Sequence, residues 1–377
     1  MEINTPISES LMFRSVVKTI FLTLLYVIIS SVVLNSFMVE WGFRGHNRRF
    51  GFEKMIGYSS YKPFVFRILT PTVANLLPDA IKDKIVTKLK SEGVWKRTWD
   101  YMKIRFNLTD GYEAEQLTIY LFMFGSLILF AVSLRSLTIV TFHGQDIFND
   151  FAPVLALLLL PISFHQGGYM YDFPELFFVS VVFLFLLKEK WKLYYVFFIL
   201  ACINKESNVL LVLYFIAYKR FNIHDKSFIY HVILHLVIGS IVVIGGRLIF
   251  LDNPGSGAEF HLFENLKYYC TIDPYIALFD VYSPFIPVPK AGMNVLFIFL
   301  TVSLIFYGWA EKPKHVKHSF ILMFMFLFPL FIVFGYKDEV RDFYLCYPPF
   351  YLLVFHSVVK LYNGVTNVVG NPALPDD

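Results

Sequence analysis

Three observations predict an all-α fold, a polytopic transmembrane helix bundle of about 10 spans. First, 56% of the 377 residues are hydrophobic and 19% aromatic, with 43 Phe and 23 Tyr. Soluble domains hold roughly 45–50% apolar residues, and the aromatic excess suits lipid-facing and interfacial surfaces. Second, the apolar residues fall into ten runs: 16–38, 117–134, 151–164, 173–187, 193–203, 208–218, 228–251, 293–309, 320–334 and 343–362. Third, the basic residues of the short loops alternate. Arg14 and Lys18 precede the first run, Arg135 follows the second, and Lys188, Lys190 and Lys192 follow the fourth. Lys219, Arg220 and Lys226 follow the sixth, and Lys312, Lys314 and Lys317 follow the eighth. With ten spans all of these lie on one side, which the positive-inside bias makes cytoplasmic, with both termini.

Residues 1–377 read as a single integral membrane domain. The first run is longer than a signal-peptide core and lacks a small-x-small cleavage site, so it is expected to be retained. Residues 39–116 form the one long polar segment, an outer loop after the first span. Long loops are exempt from the basic-residue bias. Within it, residues 65–77 and 80–90 carry apolar residues at helical spacing, the second with Lys82, Lys84, Lys88 and Lys90 on its polar side. Both are expected to be helices at the membrane interface, anchored by Trp95 and Trp99. Residues 252–290 form a second outer loop, and 363–377 a loose polar tail. Asn107-Leu108-Thr109 matches a glycosylation sequon, which matters only in a secretory pathway.

Four runs are too short to cross unaided. Helices of 11–15 residues rise about 16–22 Å against a hydrocarbon core of roughly 30 Å. The turns joining them, 165–172 and 204–207, therefore sit below the outer surface. Backbone is tolerated at that depth only where it lines a cavity or is buried in protein, so a recessed, outward-opening polar cavity is expected. The alternative merges 193–218 into one helix, giving nine spans. That puts Lys205 and Glu206 at mid-membrane and spoils the alternation.

Four polar groups need an explanation. Glu40, with Arg44, His46, Arg48 and Arg49, ends the first span and is either a general base beside the cavity or a solvated helix end. Arg67, in Phe66-Arg67-Ile68-Leu69-Thr70-Pro71, either binds phosphate through its planar fork or snorkels to headgroups. Tyr171 and Asp172 follow Gly167-Gly168, a pair that permits a tight turn and close ligand approach. Asp172 is either a site carboxylate or an N-cap. Lys205 and Glu206, with Glu339 and Arg341, are either ligands for a phosphate and hydroxyls or a structural ion network. His231 and His235 share a helix face without a third ligand and read as structural. Cys202, Cys270 and Cys346 have no metal-site spacing and no expected disulfide. Phosphate-binding loops, dinucleotide fingerprints, HExxH and nucleophile elbows are absent from the sequence, as is any nucleic-acid-binding pattern.

The order of these elements resembles the GT-C superfamily of integral-membrane glycosyltransferases, in bacterial polytopic form. It is carried by the apolar first helix, the long outer loop, Arg67-Ile68-Leu69-Thr70-Pro71, Tyr171-Asp172-x-Pro174, Asn204-Lys205-Glu206-Ser207, and Glu339-x-Arg341 before Tyr347-Pro348. The resemblance implies a polyprenyl-phosphate-linked sugar as donor and a lipid-linked or cell-envelope glycan as acceptor at the outer face of a bacterial inner membrane. It implies Glu40 as general base with Asp172 as rival, and Arg67, Lys205 and Arg341 as phosphate ligands. Tyr171, Glu206 and Glu339 would be further substrate contacts. The chain departs from the family in having no Asp at the end of its first helix and no Asp-x-Asp pair, and no metal or other cofactor is assigned. Two other classes remain open: an O-antigen or exopolysaccharide polymerase or ligase, and a non-enzymatic transporter or flippase.

Overall fold

The computed structural model describes residues 6–45, 47–143, 146–164, 167–276, 279–283, 286–289 and 294–370. His46, part of the 165–172 turn (His165 and Gln166) and residues 371–377 of the expected tail lie outside these. Helix α1 (Pro6–Glu40) ends where the long polar segment begins. That segment folds as four short helices, α2 (Phe52–Ile56), α3 (Leu69–Asn75), α4 (Asp79–Lys90) and α5 (Val94–Phe106). Then follow α6 (Glu113–Thr141), α7 (Asp146–Ser163), α8 (Asp172–Leu187), α9 (Trp191–Asn204), α10 (Val212–Tyr218) and α11 (Lys226–Ile249). The second loop carries α12 (Leu262–Tyr269), α13 (Asp273–Ile276) and a two-stranded antiparallel hairpin, β1 (Phe279–Ser283) with β2 (Ile286–Pro289). The last apolar helices are α14 (Val295–Phe306), α15 (Lys314–Phe334) and α16 (Tyr347–Gly370).

The protein is thus a helical membrane protein with one small hairpin. The described part of each apolar run is largely helical, with 208–218 and 343–362 opening in 3-10 turns. Among the described residues five helices, α1 from Ser15, α6, α7, α11 and α15, are long and apolar enough to cross a membrane, α7 among them although 151–164 reads as too short. The shorter apolar ones are Trp191–Asn204, Glu206–Tyr218 and Val295–Phe306.

Helix α8 is central. It is apolar around its whole circumference, and thirteen of its sixteen residues are buried, as expected of a helix enclosed by others. Helix α11 is peripheral. Ile233, Leu236, Val237, Ile241, Ile244 and Leu248 are all exposed, a surface stable only against hydrocarbon.

The predicted break in 193–218 is present. Helix α9 stops at Asn204, Lys205 is extended (φ −156°, ψ 126°), and a 3-10 segment, Glu206–Leu211, leads into α10. The Asn204 side chain closes the turn by donating to the Tyr171 carbonyl at 3.0 Å, and Asn208 donates to the Ala201 carbonyl at 2.8 Å. Buried backbone at this depth is therefore satisfied by amide side chains. The expected helix over 65–77 is instead two pieces. A 3-10 turn, Phe64–Phe66, is followed by a break at Arg67 (φ −83°, ψ 69°) and then α3, with Pro71 in its first turn, where a missing N–H costs nothing.

The expected helix over 80–90 is present as α4, and α5 follows it. Helix α4 packs against the start of α6 through Lys82–Glu115 (2.8 Å) and Lys90–Glu113 (2.9 Å). Trp99 is buried rather than an interfacial anchor, whereas Trp95 is exposed. The spacing of α5 is satisfied equally by either face toward lipid, and only the packing of Trp99 and Phe106 into the core chooses between them.

At the opposite end from the long loop, buried Asp150 gathers three helices. It accepts from Arg135 Nε (2.9 Å) and Nη2 (2.6 Å), and pairs with Lys18 at 2.5 Å, while Tyr26 donates to its carbonyl.

Candidate functional site

At the long-loop end the breaks in α9, α3 and the 335–342 turn converge on one cavity of about 730 Å³. Of the sequence-predicted residues, Arg67, Tyr171, Lys205, Glu206, Glu339 and Arg341 all line it. The short motifs dock on one another. Thr70 of the Arg67–Pro71 segment lies 3.4 Å from Asn204, and Arg67 pairs with Glu206 at 3.4 Å while donating to the Pro63 carbonyl. Arg341 pairs with Glu339 at 3.2 Å and with Asp172 at 3.5 Å.

Two predicted carboxylates are placed differently. Glu40, at the last turn of α1, does not line the cavity; the next turn instead brings Trp41 and Arg44 into it. Asp172 is 1% exposed and lies behind the lining. It is the first residue of α8 and makes no cap bond forward; its side chain reaches back to accept the Tyr169 N–H at 2.8 Å and across to Arg341. A carboxylate sealed this way holds a guanidinium in place and has no access to a substrate proton. Gly167 and Gly168 also serve packing. A Cβ on Gly167 would meet Glu339 Oε1 at 2.9 Å, and one on Gly168 would meet Phe37 at 2.3 Å and Trp41 at 2.8 Å. The close approach they permit is to the protein's own side chains.

Most of the lining cations are already neutralised. Lys205 is paired at 3.0 Å with Glu175, which is 0% exposed and one turn below Asp172 on α8. Glu175 was missed from the sequence, although its spacing of three from Asp172 puts both carboxylates on one helix face. Arg49 is paired with Glu259. Arg67 and Arg341 have the partners already given. Burial alone would lower both their pKa values, but Glu206 beside the first and Glu339 and Asp172 beside the second raise them.

Arg44 differs. Its guanidinium lies 4.2 Å from the Trp41 ring centroid, 4.7 Å from Tyr169 and 5.4 Å from Phe50. Its Nε and Nη2 are buried and donate to nothing, and no carboxylate pairs with it among the described residues. Burial lowers its pKa, and nearby Arg341 lowers it further. Tyr169 carries Arg341 as well, at 4.3 Å, and stacks on Tyr171 at 5.2 Å, with Arg67 5.4 Å from Tyr171. Two stacked tyrosines thus face three guanidiniums.

One carboxylate combines access with a perturbed environment. Glu339 lines the cavity, its side chain is 16% exposed, and burial raises its pKa above the ordinary 4.5 against the lowering by Arg341. The cavity is also lined by the apolar Leu327, Leu330, Phe331 and Phe334 of α15. Leu330 is 40% and Phe334 44% exposed on the bundle surface.

No group of three His, Cys, Asp or Glu side chains is placed to hold a metal ion among the described residues. His231 and His235 are hydrogen-bonded to Tyr195 and Tyr194, each at 2.6 Å, which fits their structural reading. Searches of family models, curated proteins and solved structures gave no match to this chain.

Proposed function

We propose that the protein is an integral-membrane glycosyltransferase that moves a sugar from a polyprenyl-phosphate donor to a lipid-linked or cell-envelope glycan acceptor. The observation that carries this reading is the split character of the cavity. Five guanidiniums, those of Arg44, Arg49, Arg67, Arg247 and Arg341, and the Lys205 ammonium line it together with the apolar Leu327, Leu330, Phe331 and Phe334 of α15, of which Leu330 and Phe334 are also exposed on the bundle surface. An amphiphile with an anionic head and a hydrocarbon tail matches both sets of residues, and a soluble sugar nucleotide matches only one. The alternation of basic loops supports ten crossings with both termini cytoplasmic, and the resemblance implies a cavity at the outer face of a bacterial inner membrane.

In this reading Glu339 takes the place first given to Glu40 and Asp172. Its carboxylate accepts the acceptor hydroxyl proton as that oxygen attacks the anomeric carbon. The bond to the phosphate oxygen breaks, and the departing phosphate takes the electron pair beside the guanidiniums, whose charge stabilises it. A single displacement of this kind inverts the sugar carbon.

The test is sugar transfer from a radiolabelled polyprenyl-phosphate sugar by purified protein in detergent. Glu339→Gln is expected to lower turnover by roughly 10²–10⁴-fold, the usual contribution of a positioned base, while leaving donor binding intact. Full activity in Glu339→Gln removes the assigned base. The product also separates the other classes, since a polymerase gives a ladder where a transferase adds one sugar, and a flippase forms no covalent product.

A further inference from the structure

The sequence distributes the anion-binding role over Arg67, Lys205 and Arg341, but each of these is neutralised by a carboxylate of its own. We infer that the substrate's phosphate is anchored by Arg44, clamped over Trp41 and Tyr169, with Arg341 beside the same Tyr169 ring. The inference rests on the amphiphile reading of the same cavity and names the group that reads its head.

Four observations support it. Arg44 lines the cavity and has buried Nε and Nη2 atoms without acceptors. A buried donor left unmet is unfavourable, the more so when charged. Second, Arg44 and Arg341 both sit within 4.7 Å of one tyrosine ring. Arg341 already carries two carboxylates, so Arg44 is the member of this pair left for an anion to meet. Third, the guanidinium is fixed before any ligand arrives. Three aromatic rings hold it, and Trp41 is itself anchored by donating from Nε1 to the Phe164 carbonyl. A cation so held loses little side-chain entropy on binding. Fourth, the backbone at Arg44 is left-handed, φ +49°, a conformation unfavourable for a non-glycine residue that tends to mark ligand clamps.

Phosphate bound here places its ester chain along α15, because Arg44 and the Leu327–Phe334 wall bound the same space. The chemistry recognised is a phosphate monoester or diester, and a lipid headgroup and free inorganic phosphate share it.

The experiment is equilibrium binding of fluorescent polyprenyl monophosphate to the purified full chain in detergent, with inorganic phosphate as competitor. Arg44→Gln is expected to weaken binding by about tenfold or more, the usual consequence of losing a charge-assisted contact. Arg44→Lys keeps the charge without the planar fork and should fall between. Arg67→Gln, which removes a cation already paired with Glu206, should change affinity less than Arg44→Gln. Competition by millimolar inorganic phosphate would assign the site to free phosphate, and its failure to compete assigns it to the lipid headgroup. Wild-type affinity in a folded Arg44→Gln protein, judged by a monodisperse elution profile, overturns the inference. Because binding is read without catalysis, lost binding in Arg44→Gln combined with no transfer by the wild type rejects the glycosyltransferase reading and leaves the clamp standing.

Discussion

Asp172 and Glu175 show how the same residue type serves different ends within 3 positions of α8. Both are buried, and each holds one cation in the cavity wall, Arg341 and Lys205. Removing one partner of such a pair leaves a buried charge unmet and costs about 3–5 kcal/mol. Asp172→Ala is therefore expected to lower the thermal stability of the purified protein by several degrees. Asp172→Asn, which keeps an acceptor for the Tyr169 N–H, should lower it less. Glu339→Gln should not, because Glu339 is at the cavity surface and Arg341 keeps Asp172. The two carboxylates thus separate by assay, one by melting and the other by turnover. Glu339 also sets a pH dependence. As a base it acts deprotonated, and burial raises its pKa above the ordinary 4.5. Activity is lost as pH falls through that raised value, so the acid limb of kcat lies at higher pH than a solvent-exposed glutamate would give. A limb at or below 4.5 argues against Glu339.

Among the elements, the 335–342 turn matters most, since it carries both Glu339 and Arg341. It is held from the second loop by Asn265 of α12. The Asn265 amide donates to the Ile332 carbonyl at 3.0 Å and the Gly335 carbonyl at 2.7 Å, and accepts the Lys337 N–H at 2.8 Å. Asn265 is 0% exposed, so none of these groups has water as a substitute. Asn265→Ala should cost about 1–3 kcal/mol for the groups left unmet and lower turnover by moving Glu339. Leu, of similar bulk but without hydrogen bonds, should not rescue it. An Asn265→Ala enzyme with normal turnover would show that the turn holds itself. Residues 251–261 reinforce the same arrangement. Asn253 donates to the Tyr58 and Ser60 carbonyls, and Lys62 N–H donates to the Pro254 carbonyl. The second loop is thus strapped onto the first across the cavity.

At the scale of the molecule the open question is sidedness, and the native cysteines address it. Cys270, at the end of α12, is exposed, while Cys202 and Cys346 are buried, and all three are free thiols. If the cavity end faces outward, a membrane-impermeant maleimide added to intact spheroplasts should label the protein once, at Cys270, and Cys270→Ser should abolish the signal. Labelling only after the membrane is broken would invert the topology and with it the proposed donor side.

The composition and the runs of apolar residues decided that this is a helical membrane protein, because hydrocarbon forces every backbone group to be satisfied within a helix. Of the four runs read as too short to cross, 151–164 extends to the 18-residue α7, which is long enough; the expected break between 193–203 and 208–218 is present at Asn204-Lys205-Glu206. Single polar residues in apolar surroundings were legible as site residues, and six of the eight converge. Their roles were not legible. Whether a buried cation is free for a ligand depends on which carboxylate stands behind it, and Glu175, Asp172 and Glu339 reach their partners across 30, 169 and 2 positions of sequence. Glu40 and Arg44 are only 4 residues apart, yet the turn after α1 puts Arg44 in the cavity and leaves Glu40 off its lining. The chain itself determined where polarity must be paid for in the membrane; the packing of α8, α15 and two loops decided which charges cancel one another and left Arg44 and Arg247 lining the cavity without a carboxylate partner among the described residues.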